Sequence, residues 1–136
     1  MMKMKVKLMG AQHLSLKTFY DLVEEKVSEN NKIEFKKFQF VDGKITAEQK
    51  EKLEKEIAAF ANAEGGTIYI GIDESREKIA SQVVGVGCGI EKFDEIQLAI
   101  QSRLLAKVHP RIYGISMECF ALPNNDMVMT ISVPKS

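Results

Sequence analysis

Residues 59–73 read Ala59-Phe60-Ala61-Asn62-Ala63-Glu64-Gly65-Gly66-Thr67-Ile68-Tyr69-Ile70-Gly71-Ile72-Asp73, a helix end followed at once by a strand. Its first half ends a helix. Small residues let that helix lie close on a sheet, and Gly65-Gly66 stops it in the left-handed way. Its second half, Thr67 to Ile72, is a β-branched and aromatic strand, after which Asp73-Glu74-Ser75 starts a loop. Towards the N-terminus, Thr46-x-x-Gln49 fits a capping box that opens the same helix and carries it to about Ala63. Leu53, Ile57, Phe60 and Ala61 form its apolar stripe, and Glu48–Lys52 and Glu51–Lys55 are i,i+4 pairs on its wet side.

The pattern continues outward in both directions. Asp42-Gly43 signals a turn, expected as a loop and not a hairpin because a helix follows it. Ile33 to Phe40 reads as an aromatic-rich strand behind the turn cluster Ser28-Glu29-Asn30-Asn31. Ser15 caps a helix to about Lys26, with Phe19, Leu22, Val23 and Val27 on one face. Residues 1–14 form an N-terminal strand or arm, whose alternating part is Met4 to Met9. Past this stretch, Val83–Val86 is a short strand. Glu91 to about Lys107 is a helix with Phe93, Ile96, Ile100 and Leu104 inward, ended by Pro110. Ile112–Phe120 and Met127–Val133 alternate across Pro123-Asn124-Asn125-Asp126 and predict a hairpin. About three helices, a mixed sheet and a C-terminal β-hairpin make the class α+β, in one domain over residues 1–136.

Composition narrows the function. The 19 Lys and Arg cancel 19 Asp and Glu, so the chain is not a general polyanion binder, although a local basic face remains open to it. Arginine occurs only as Arg76, Arg103 and Arg111, which argues against detailed base readout by bidentate forks. Cys88 and Cys119 form no CxxC pair, and His13 and His109 lack metal spacing, so a zinc site is excluded and the thiols read as buried groups of a reducing compartment. With neither an apolar run of membrane length nor a signal peptide, the expected location is the cytoplasm, with no membrane partner.

Two constellations could carry chemistry. Glu29, Glu34 and the pair Asp73-Glu74 sit at the edges of two predicted strands, where their carboxylates can converge. Hard oxygens without His or Cys suit Mg²⁺ or Mn²⁺, with Glu29, Glu34 and Asp73 as the ligand set. Such a metal activates water and stabilises a phosphoryl transition state, while Lys36, two residues after Glu34, steadies phosphate charge from the same strand face. Acids at turns and strand ends are equally ordinary solvated surface. The second constellation is basic. Lys32, Lys36 and Lys37 surround Phe35, Phe38 and Phe40, a pattern for phosphate contact and base stacking, or for a strand with one wet face. Arg103, Lys107 and Arg111 are the other basic group. Gly85-x-Gly87-x-Gly89 is no dinucleotide fingerprint, and without G-x-x-x-x-G-K-[ST] a P-loop and ATPase chemistry are excluded.

These residues carry a family resemblance. Glu29-Asn30-Asn31-Lys32-Ile33-Glu34-Phe35-Lys36 resembles the E-x-x-x-x-E-F-K opening of the Schlafen AlbA-like domain. Ala59 to Asp73 is similar to its A-F-A-N-T-x-G-G, hydrophobic strand, G-[VI]-D signature. Val84-Gly85-Val86, Pro110 and Ile131-Ser132-Val133-Pro134 also fit, so the likeness covers residues 15–134. It implies a bacterial nucleic-acid-binding module, for DNA or RNA, of the kind found in transcriptional regulators. It also implies an alternative, a divalent-metal endoribonuclease in which a carboxylate triad falls on Glu29, Glu34 and either Asp73 or Glu74. A protein-interaction module, or assembly as a homodimer, is the third expectation.

Overall fold

The computed structural model describes residues 14–106 and 114–135. The elements are α1 (Leu16–Glu24), β1 (Ile33–Lys36), α2 (Ala47–Asn62), β2 (Gly66–Ile70), β3 (Ile72–Glu74), β4 (Ala80–Val83), α3 (Phe93–Ala106), β5 (Ser116–Ala121) and β6 (Met127–Val133). Strands β1-β2-β6-β5 form one sheet in that order, and β3-β4 form a second. β1 runs parallel to β2, whereas β2–β6, β6–β5 and β3–β4 are antiparallel. Three helices on a mixed sheet make the α+β class expected. None of the described helices is long and apolar enough to cross a membrane.

Alternation along the strands builds two cores. Ile68 and Ile70 of β2, with Met129 and Ile131 of β6, face Leu53, Ile57 and Phe60 of α2 and Ile96 and Ile100 of α3. Tyr69, Ile33, Phe35 and Val128 face the other way, onto Phe19 and Leu22 of α1. Phe19 meets Tyr69 edge-on, centroids 5.3 Å apart, the preferred geometry for an aromatic pair. The capping box forms as read: Gln49 N–H donates to Thr46 Oγ1 at 3.1 Å, and Thr46 N–H donates to Gln49 Oε1 at 3.0 Å. At the far end Gly65 N–H donates to the Phe60 carbonyl at 2.8 Å.

Several boundaries differ from the sequence reading. The strand expected over Ile33–Phe40 stops at Lys36, because its partner β2 ends at Ile70 and the last bond between them runs from Gly71 N–H to the Lys36 carbonyl. Phe38 and Phe40 are nevertheless buried, in the α2–α3 core and not with Phe35. The run Thr67–Ile72 is two strands. Gly71, at φ +112, breaks it, and a Cβ there would lie 2.8 Å from Val128 Cγ1. Asp42 and Gly43 (φ 52 and 70) make the expected tight turn, closed by Lys44 N–H to the Val41 carbonyl, within a loop that has no flanking strands and so is no hairpin. The strand expected at Val83–Val86 is Ala80–Val83, and Val86 instead bonds Met127 and Asp126. The expected arm at Met4–Met9, Pro110 and the start of the hairpin at Ile112 lie outside the described residues.

Candidate acidic site and its lysines

Glu29 stands just before β1. Its N–H donates to the Lys78 carbonyl at 2.8 Å, and its carboxylate accepts the Phe35 N–H at 2.9 Å, on the outer edge of the strand. The Glu29 carboxyl also lies within hydrogen-bonding reach of both Glu34 and Glu74. Burial, reinforced by the Glu56 charge, pushes the Glu34 carboxyl above its ordinary range, against the pull of Lys36. Burial, and then Glu29, push Glu74 up in the same sense against Lys78. Glu74 Oε2 is buried without a hydrogen-bond partner. A proton on Glu74 would supply the donor that this carboxylate contact lacks.

Asp73 does not join them. The pairing of β3 with β4 shifts register between Asp73 and Glu74, and the two side chains meet different partners. Asp73 Oδ2 lies 3.4 Å from Lys37 Nζ, and its other oxygen accepts the Glu74 N–H at 2.9 Å. Of the two acids the sequence left open, Glu74 lies beside Glu29, and Asp73, named in the expected ligand set, lies against Lys37.

The donor chemistry suits a hard divalent cation, but the placement does not. Among the described residues no three of His, Cys, Asp and Glu are arranged to hold a metal ion. Lysine ammonium groups take the neutralising role instead. Lys36 Nζ sits 3.2 Å from Glu34 and 3.8 Å from Glu56, with its side chain 18% exposed. Lys78 Nζ sits 3.4 Å from Glu74. The cluster of Glu29, Glu34, Glu56 and Glu74 thus exceeds its two lysines in charge when ionised.

Sequence reasoning missed Glu56 and Lys78. Glu56 was legible in principle, since it stands three residues after Leu53 and four before Phe60 and so inside the apolar stripe of α2. Lys78 comes to the site within the local β3–β4 turn, four residues after Glu74, and it draws Glu29 in through its backbone carbonyl.

The expected basic residues are dispersed. Lys32, Lys36 and Lys37 all belong to the β1 segment, with Lys36 turned inward and Lys37 exposed toward Asp73. Lys32 is half-buried, and its backbone N–H donates to Asn30 Oδ1 at 2.7 Å. Arg103 of α3 pairs with Glu54 of α2 at 3.0 Å, while Lys107 and Arg111 lie outside the described residues.

Comparison with known proteins gives this geometry a family. No curated protein matches the chain. Among solved structures, the chain is similar to the N-terminal domain of a RecG-related protein, described in terms of an ATP-dependent DNA helicase, from Nitrosomonas europaea. The likeness has a TM-score of 0.51 at 20% identity, over 87% of this chain and 73% of that one, and it shows a shared fold. The family described as Schlafen, AlbA_2 matches residues 29–136, from the first of the clustered acids to the last residue. On that match the chain belongs to the Schlafen AlbA_2 family.

Proposed function

We propose that this chain is a nucleic-acid-associating module with a regulatory role in the cytoplasm, where its two free thiols stay reduced. The observation that carries the reading is membership of the AlbA_2 family over residues 29–136. The fold shared with a domain of a helicase-related protein supports it. Binding is charge-led and tolerant of sequence, because lysine is a point charge and lacks the bidentate fork that reads guanine.

A second reading, an endoribonuclease, draws on the convergence of Glu29, Glu34 and Glu74. A divalent ion would have to displace Lys36 and Lys78 to use them, so we derive no metal-dependent step. One assay separates the two. Labelled transfer RNA, single-stranded DNA and duplex DNA are incubated with the protein, in Mn²⁺ and in chelator. Retarded but intact probe in both conditions supports the binding module. Cleavage in Mn²⁺ that disappears in Glu34→Gln supports the nuclease. Neither binding nor cleavage refutes both.

A further inference from the structure

Side chains of β5 leave the sheet alternately on its two sides. Met117 and Cys119 join the core under α2 and α3, while Phe120 packs toward α1 and Glu118 shares its side. Each side is unfinished along the outer edge of β5. On the α3 side, the turn Ile90–Lys92 touches β5, and Ile90 is left 51% exposed. Burial first, and then the Asp94 and Glu118 carboxylates, push the Cys119 thiol up, so Asp94 of α3 stands close to this edge. Leu98 follows Asp94 by four residues, on the same side of the helix, and is 65% exposed. On the α1 side, Glu118 is exposed and makes no ion pair among the described residues.

Residues 1–13 lie outside the described residues, and their sequence matches this edge row by row. In an extended chain Met4, Val6 and Leu8 form one row, and Lys3, Lys5 and Lys7 the other. The apolar row fits Ile90 and Leu98, and the lysine row fits Glu118. A slip of one residue would set the lysines under Leu98 and the apolar row beside Glu118, so the pattern selects between the two alignments. Charge agrees. The described residues hold all nineteen acids but only fourteen of the nineteen cations, whereas residues 1–13 hold three lysines and no acid.

The point of attachment is close. Phe19, in the first turn of α1, has its ring 6.2 Å from that of Phe120, and Leu16 and Leu122 pack on the same core. Gly10 to His13 can span about 13–14 Å, more than the roughly 4.8 Å from one strand to the next. A tether this short gives an effective concentration on the order of mM, which favours the chain's own segment over a second copy.

We propose that residues 3–9 add to the outer edge of β5 as a further strand, with Met4, Val6 and Leu8 toward Leu98 and Lys3, Lys5 and Lys7 toward Glu118. The proposal is independent of the nucleic-acid reading. Its test is hydrogen exchange by mass spectrometry over residues 116–121, with residues 66–70 of β2 as the reference for global opening. Light scattering gives the mass of each protein, and circular dichroism establishes that it is folded. The unmodified chain is compared with Val6→Asn/Leu8→Asn, with Lys3→Glu/Lys5→Glu/Lys7→Glu, and with that triple carrying Glu118→Lys.

Successive amides of an edge strand point alternately to its partner and outward, so an open edge leaves roughly half of them in fast exchange. The unmodified chain should be a monomer with nearly all β5 amides slow. Val6→Asn/Leu8→Asn and the glutamate triple should each release about half of them while β2 is unchanged, and Glu118→Lys should restore part of the protection lost in the triple. Fast exchange of half the β5 amides in the unmodified chain overturns the proposal. Protection that survives both the asparagine pair and the glutamate triple overturns it in favour of another cover. Protection that falls on dilution together with a mass of two chains overturns it in favour of a second copy.

Discussion

Glu74→Gln should stabilise this protein at neutral and alkaline pH and do almost nothing in acid. The folded state holds the Glu74 proton more tightly than the unfolded chain does, because burial and the neighbouring Glu29 raise its affinity above the ordinary value of 4.5. For a carboxyl raised in this direction, the stability it contributes is fully present below pH 4.5. It is lost as pH rises through the folded-state value. Glutamine is a permanent analogue of the protonated form, so it keeps that contribution at every pH. Relieving the partnerless buried Oε2 is worth about 1–3 kcal/mol. The substitution loses the Lys78 contact at 3.4 Å, a pair with 63% of the lysine side chain exposed and so worth about 0–1 kcal/mol. The net gain expected at pH 8 is about 1 kcal/mol, or roughly 3–5 °C in Tm for a chain of this size. Urea unfolding followed by circular dichroism at pH 4 and pH 8 measures it. An equal effect at both pH values would refute the proton-sharing argument. So would a loss at pH 8 greater than the roughly 0.5 kcal/mol of an ordinary surface substitution. A gain would show that the acid cluster is held at a cost to stability, as functional sites often are.

Other substitutions probe the frame around the site. Leu53→Ala, at the fully buried centre of the α2 stripe, should lose about 2–5 kcal/mol in the same urea assay. Thr46→Ala removes the side-chain acceptor of the capping box and should cost about 1 kcal/mol, with Thr46→Ser close to unmodified. Asp126 Oδ1 accepts N–H groups from Val86, Gly87 and Met127, at 2.9, 2.9 and 2.7 Å, so Asp126→Ala should destabilise by about 2–3 kcal/mol. Hydrogen exchange at those amides should rise well before global unfolding in the same variant, and unchanged protection there would refute Asp126 as their stabilising acceptor.

The legible parts of this fold are the ones written locally. Thr46 and Gln49, and then Gly65 and Gly66, delimit α2 and start β2 within a few residues of each signal. The strand after Ile33 was read too long because Phe38 and Phe40 look like its continuation, yet they serve the other core. Gly71 inside an apolar run was a readable sign of a break, and it is where the chain leaves one sheet for the other. The acids were legible as candidates through Glu29 and Glu34. The choice between Asp73 and Glu74 was not, because β3 shifts its register between these two residues and simple alternation along the strand does not carry across that point.

Glu29 has a consequence for how this sheet meets other molecules. Its carboxylate takes the outward N–H of Phe35, and the reciprocal bonds between Asn30 and Ile33, at 3.2 and 3.3 Å, close the next position along. An incoming strand therefore finds no free donor there, and the β1 side of the sheet is sealed against lateral growth. The opposite margin, β5, has no partner strand among the described residues and carries no lysine or proline over Ser116–Ala121. Among the described residues the open margin is therefore β5, and strand addition, whether recruitment of a peptide or the start of aggregation, is favoured there over β1. A change such as Glu29→Ala would free the Phe35 N–H and unseal the β1 side.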